Sequence, residues 1–148
     1  MTIHSYESTL SWRGRTQHYD SYDRRHDVTI AGTQLAVSAD AAFRGDAALP
    51  NPEQLVVAAA SSCQLLSFLA VAALSGVEVV EYSDRARGEM QADQRPMRLT
   101  RIVLRPHIAV VGGSVERVER LVHRAHEQCY IAHSLTAEVS IEPVIEVV

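Results

Sequence analysis

The sequence predicts an α+β fold with a mainly antiparallel sheet, and three observations predict it. Residues 55–74 are a run of Leu, Ala and Val relieved only by Ser, Cys, Gln and Phe. Further on, Val115, Val118, Leu121, Val122, Ala125 and Cys129 recur at helical spacing with Glu116, Arg117, Glu119, Arg120 and Arg124 between them. The apolar stretches before, between and after these two segments have the β-type patterning of strands. The order is strands, long helix, strands, helix, strand.

Residues 5–12 and 27–39 carry the Thr, Val, Ile, Leu and Trp of strands, and Arg13 to Arg25 between them is polar and contains Tyr19 and Tyr22. A loop with Gly45 and Pro50 follows, in which Phe43-Arg44-Gly45-Asp46 reads as a surface turn, with lining of a site entrance as the alternative. Asn51-Pro52-Glu53-Gln54 then opens a helix with a capping Asn, Pro at the first helical position, an early Glu for the dipole and Gln where a capping box wants it. From Leu55 to Leu74 the residues are apolar around the whole circumference until Ser75-Gly76, which predicts a central helix buried on nearly all sides. Twenty such residues are long enough to span a bilayer, but the centre is Ser61-Ser62-Cys63-Gln64 and neither end carries an Arg cluster, so a helix sandwiched by sheet or by a partner subunit is expected, and no membrane. Val77 to Met90 and Met97 to Val111 read as two strands joined by a turn over Gln91 to Pro96. Gly112-Gly113-Ser114 caps the second, amphipathic helix, and the alternating tail from Leu135 to Val148 reads as one last strand.

A chain of 148 residues fits one domain spanning residues 1–148. With 47% hydrophobic and 22% charged residues it is too apolar to be disordered. Fourteen basic residues against eighteen acidic ones give a net charge of −4, leaving no basic field for nucleic acid. All fourteen are Arg and none is Lys, which excludes Schiff-base chemistry, a lysine base and a P-loop. The N-terminus shows neither a basic region nor an apolar one of signal-peptide type, so the reducing cytoplasm is the expected compartment. Two cysteines in such a place are either inert core thiols or members of a transient catalytic pair.

Cys63 lies mid-helix among Val56, Ala59, Ala60, Leu66, Ser67 and Ala70, mostly small side chains that let another element approach. The second helix presents Cys129 on its own apolar face. If the helices cross there, the sulfurs come within disulfide reach, which needs Cα atoms ~4.4–6.8 Å apart. Burial as small hydrophobes, the usual place of free Cys, stays open beside it.

Asn51-Pro52-Glu53-Gln54-Leu55, then Ala58-Ala59-Ala60-Ser61-Ser62-Cys63, and far downstream His126-Glu127-Gln128-Cys129-Tyr130-Ile131-Ala132-His133-Ser134, together resemble the OsmC/Ohr family of osmotically inducible and organic hydroperoxide resistance proteins. The resemblance covers almost the whole chain. It implies an antioxidant thiol peroxidase with Cys63 as peroxidatic cysteine, Cys129 as resolving cysteine, and Glu53 with an N-terminal Arg as the polar shell. It also implies an intertwined homodimer of α+β subunits with long central helices packed together, no cofactor, and an external dithiol reductant, either a small thiol or a lipoylated protein. Within Tyr22-Asp23-Arg24-Arg25-His26, Arg24 is the better match to the family's arginine, with Arg25 adjoining it. Many hydroperoxide-resistance members carry a proline after the second cysteine, whereas Tyr130 and Ile131 stand here, which places the chain in a divergent branch.

The chemistry explains the need for the arginine. A thiol with the ordinary pKa of ~8.5 is only slightly ionised at neutral pH, and the thiolate is the nucleophile. Mid-helix, Cys63 draws little from the helix dipole, so the cation must come from elsewhere. Glu53 would then orient Arg24; beside the sulfur alone it would oppose ionisation. Glu53 and Cys63 are ten positions apart, so on an unbroken helix they stand ~15 Å apart on different faces; for one site to contain both, either the helix breaks between them or the Glu comes from a second subunit, and the strong helical pattern favours the second.

Two rival readings come from other classes. His123, His126, Cys129 and His133 are spaced like metal ligands on one helix and its exit, although solvated histidines on an amphipathic helix have the same pattern. Alternatively the protein is a non-enzymatic dimeric binder of an apolar molecule, with the cysteines filling space. Tyr19, Tyr22 and Trp12 are candidates to line a pocket in either case, but aromatic residues near strands are more often packing.

Overall fold

Three short strands begin the chain: β1 (Thr9–Ser11), β2 (His26–Ile30) and β3 (Thr33–Val37) form an antiparallel meander in that order. β2 and β3 join through a two-residue hairpin in which both Ala31 and Gly32 have positive φ, 48° and 79°. Such turns match the twist of the flanking strands. The computed structural model describes residues Met1–Val148, which part into two compact units, Met1–Leu55 and Val56–Val148.

After β3, a loop closes on itself within the first unit. Asp40 caps a 3₁₀ turn over Ala41–Phe43 by accepting from Ala42 N at 2.7 Å, and its carbonyl accepts from Gly45 N at 3.0 Å. A Cβ on Gly45 would lie 1.7 Å from the Ala39 carbonyl oxygen, so only glycine lets the chain pass there. Buried Ser38 holds the loop's far end, its N–H donating to Pro50 O at 2.9 Å and its Oγ accepting from Asp46 N at 3.0 Å.

The expected capping box opens helix α1 (Pro52–Leu74): Gln54 N donates to Asn51 Oδ1 at 2.9 Å and Asn51 N to Gln54 Oε1 at 3.0 Å. The helix has the length and apolarity to cross a membrane. Its Gln64 and Phe68, however, are fully buried, and Gln64 Nε2 donates to Val122 O at 3.1 Å in the second unit's interior. Burial corrects one expectation. Only the stripe Ala60, Gln64, Phe68, Val71 and Ala72 is covered, whereas Leu66, Leu69 and Leu74 stay exposed. The residues are apolar all round, but the chain itself supplies a cover for one side only.

In the second unit the expected pair of long strands is four: β4 (Glu78–Asp84), β5 (Arg87–Met90), β6 (Leu99–Leu104) and β7 (Pro106–Val111). The tail likewise divides into β8 (Glu138–Ile141) and β9 (Val144–Val147). The pieces sort into two sheets, β4-β7-β9 and β5-β6-β8, in which β7/β9 and β6/β8 are parallel and the other pairs antiparallel. Pro106 and Pro143, which cannot donate to a ladder, lie at two of the breaks. Side chains staple the break level: Asp84 Oδ1 accepts from Arg105 N at 2.7 Å, Asp84 Oδ2 from Ser61 Oγ, and Glu142 pairs with Arg105 at 3.0 Å.

Helix α2 (Val115–Glu127) is capped by Ser114 as expected, after Gly112 and Gly113 at φ 68° and 86°. Its Val118, Leu121, Val122 and Ala125 pack with Phe68, Val71, Ala72, Ile108 and Val110 into the main core. A smaller core joins Ala60, Ile102 and Leu104. Cys129 is not on α2. It precedes a four-residue helix, α3 (Tyr130–His133), in an extended conformation, because the chain leaves the helical path at Gln128.

Candidate functional site

The chemistry-bearing residues form two groups, one in each unit. In the second, Cys63 stands half-buried in the middle of α1 and Cys129 is buried at 1% exposure. Both are free thiols, and Cys63 is close enough to Cys129 to act on the ionisation of its thiol. The small residues around Cys63 permit this approach, although the partner comes from the α2–α3 junction and not from α2. Burial pushes the Cys129 thiol above its ordinary value and the neighbouring Cys63 adds to this, while the backbone N–H groups of Ala132 and Ile131 pull the other way. Cys129 therefore rests protonated. Nearby, Tyr82 packs on Phe68 with ring centroids 5.9 Å apart and has a buried hydroxyl without a partner. Burial, then the charge of Asp84, raise its pKa and keep it neutral.

In the first unit, a cavity of about 360 Å³ is lined by Trp12, Tyr22, Phe43, Arg24, His26 and Glu53, among others. Arg24, half-buried, stacks over the Tyr22 ring at 3.6 Å and donates to the carbonyls of Tyr22 and Tyr19. Arg25 instead pairs with Asp27 at 3.6 Å and does not line the cavity. Of the two adjacent arginines, Arg24 is thus the one beside Glu53. No ion pair joins Arg24 to Glu53 in the single chain, since the two carbonyls and the aromatic faces take up the guanidinium. Helix α1 runs unbroken from Pro52 to Leu74, the condition under which the sequence argument draws Glu53 and Cys63 of one site from two subunits.

Phe43 follows the alternative reading of its segment, since the Asp40-capped 3₁₀ turn makes it a wall of the cavity. His26 went unnoticed as a site residue; its only sequence signal is a histidine two positions beyond Arg24. Trp12 and Tyr22 line the cavity as the aromatic reading allowed, while Tyr19 packs behind Tyr22. The four candidate metal ligands do not converge. His133 Nε2 bonds to Glu127 O at 2.6 Å, His123 is exposed, and no three metal-ligating side chains come together.

The second unit thus holds a pair of free thiols, and the first a cavity lined by a guanidinium and a carboxylate. Residues 45–144 match the family described as OsmC-like protein, and the chain belongs to that family. Among solved structures it is similar to an OsmC-like protein of unknown function from Vibrio cholerae, at 29% identity and a TM-score of 0.86, covering 96% of this chain and 100% of that one. It is also similar to an organic hydroperoxide resistance protein from Elizabethkingia anophelis at 16% identity, with a TM-score of 0.73 and 99% of each chain covered. Another such protein, from Legionella pneumophila, matches at 19% identity and a TM-score of 0.67, with 96% of this chain and 98% of that one covered. The last two share the fold alone. The search of curated proteins gives no match.

Proposed function

We propose that this protein is a homodimeric thiol peroxidase that reduces organic hydroperoxides. The observation that carries the reading is the pairing of two free thiols, Cys63 in a cradle of small side chains and Cys129 buried and protonated beside it, in a chain of the OsmC-like family. The Cys63 thiolate attacks the distal peroxide oxygen; the O–O bond breaks, the sulfur becomes a sulfenic acid, and the alkoxide leaves as an alcohol after taking up a proton. Cys129 then condenses with the sulfenic acid. Its sulfur forms the S–S bond, and its proton accompanies the departing hydroxide as water. A raised thiol pKa suits this step, because the proton is still present when it is needed.

An external dithiol, a small thiol or a lipoylated protein, returns the disulfide to two thiols and is itself oxidised. Arg24 and Glu53 are assigned to the same site and are delivered by the second subunit, Arg24 favouring the thiolate and the peroxide, Glu53 orienting it. A reducing cytoplasm is the compartment in which the pair would rest as thiols.

Single-turnover oxidation with an alkyl hydroperoxide tests the reading. Wild type is expected to lose both titratable thiols and to recover them with a dithiol. Cys63→Ser should be inert, with a rate reduced at least about a thousand-fold, as loss of a nucleophile requires. Cys129→Ser should stop at a sulfenic acid trapped by a dimedone-type reagent. Two thiols that survive stoichiometric peroxide would leave the non-enzymatic binder as the better account.

A further inference from the structure

We propose that Tyr82 is a catalytic residue of the thiol centre: its hydroxyl donates a hydrogen bond to the oxygen that leaves Cys63 when the disulfide forms. The assignment rests on the peroxidase reading and adds a group to its second step.

Tyr82 lies on β4, and its ring packs on Phe68 of α1 with centroids 5.9 Å apart. Two residues further along the same face of the strand, Asp84 accepts from Ser61 Oγ. The strand thus touches α1 at Ser61 and at Phe68, and Cys63 lies between these two contacts along the helix. Cys129, the neighbour of Cys63, stands within electrostatic reach of the Tyr82 hydroxyl.

That hydroxyl is buried and has no partner. A buried O–H normally has one, and phenylalanine would fill the same space without leaving a donor unpaired. Asp84 does not take it, since its Oδ1 accepts from Arg105 N at 2.7 Å and its Oδ2 from Ser61 Oγ. Neither sulfur accepts from it at rest. Burial and the charge of Asp84 hold the tyrosine neutral, so its hydrogen stays available for donation. Two other hydroxyls fit the role less well. Tyr130 adjoins Cys129 in sequence but is 82% exposed, which leaves its hydroxyl to the solvent. Ser140 Oγ is also buried without a partner, but Ser140 faces away from Val139 and Ile141, the strand neighbours that pack on the cores.

The resting pair lacks the atom that such a donor needs, and peroxide supplies it by leaving an oxygen on Cys63. When the Cys129 sulfur attacks, the S–S bond forms, the S–O bond breaks, and the departing oxygen carries the bonding pair away as negative charge. A hydrogen bond from Tyr82 stabilises that charge as it develops. The Cys129 proton completes the water, and Tyr82 keeps its own.

The test is single-turnover oxidation of the full chain with tert-butyl hydroperoxide, quenched at intervals with a dimedone-type reagent, with trapped sulfenic acid and disulfide counted by mass spectrometry. Tyr82→Phe, which keeps the ring on Phe68, should oxidise Cys63 within about two-fold of the wild-type rate, since the first step does not use the hydroxyl. Its disulfide should form about ten- to a hundred-fold more slowly, as loss of one hydrogen bond to a developing charge implies, and the sulfenic acid should accumulate. Its thermal midpoint should not fall, because the folded chain loses no hydrogen bond. Tyr130→Phe should match wild type in both steps. Disulfide formation at the wild-type rate in Tyr82→Phe, equal slowing of both steps, or a lowered midpoint overturns the assignment. In the first of these cases the peroxidase reading still stands. Wild-type thiols untouched by the peroxide would remove that reading itself, and the role of Tyr82 with it.

Discussion

Protonation states decide what single residues here can do. Cys129 is held as a thiol by burial, the wrong state for a first nucleophile and the right one for the second step of the proposed cycle. His126 shows the opposite sign. Burial lowers its pKa from the ordinary 6.5, with the Val139 backbone opposing, and its Nδ1 is buried without a partner. The unfolded chain therefore takes up this proton at higher pH than the folded one. His126 contributes stability that is present above about pH 6.5 and is lost as the pH falls through the lower folded value. The thermal midpoint of wild type is expected to fall between pH 7 and pH 5, and His126→Gln should flatten that slope. An unchanged slope would show that other groups carry the acid sensitivity.

Secondary-structure elements were legible wherever local chemistry states them. Asn51, Pro52 and Gln54 announce the start of α1, and Gly112-Gly113-Ser114 the start of α2, because capping needs only neighbours in sequence. The strand breaks were not legible from alternation, which continues through them. Pro106 and Pro143 mark two of the breaks locally, and a side chain from a distant segment secures them, above all Asp84, which takes Arg105 N–H and the Ser61 hydroxyl together. Asp84→Ala should therefore cost about 1–3 kcal/mol in chemical denaturation, since two donors lose one acceptor. Asp84→Asn, which keeps an acceptor oxygen, should cost less. The end of α2 was misplaced for a related reason: Cys129 continues the apolar spacing although the helix has already stopped.

For the molecule as a whole, the open side of α1 is the main unresolved surface. Leu66, Leu69 and Leu74 are 64%, 39% and 91% exposed in a helix whose opposite stripe is core. Exposed apolar area of this kind marks an interaction surface, and the proposed homodimer would cover it. Leu66→Arg should then shift the protein to monomers in sedimentation equilibrium and abolish peroxide turnover while both thiols remain titratable. A variant that stays dimeric would place the interface elsewhere.

By itself the sequence determined the α+β class, the two helix starts, and the four residue types on which the chemistry is proposed to rest: Cys63, Cys129, Arg24 and Glu53. Those are properties of residue identity and near spacing, and a resemblance can carry them. Tertiary structure alone decided that Cys129 meets Cys63 from the α2–α3 junction, that Arg24 rather than Arg25 lines the cavity, and that Phe43 and His26 join it. Each of these depends on where a turn brings back a segment far away in the chain. The closure of the 38–50 loop at Gly45 shows why: the pattern of side chains predicts that a turn occurs, but only the backbone path fixes which way the residues beside it point.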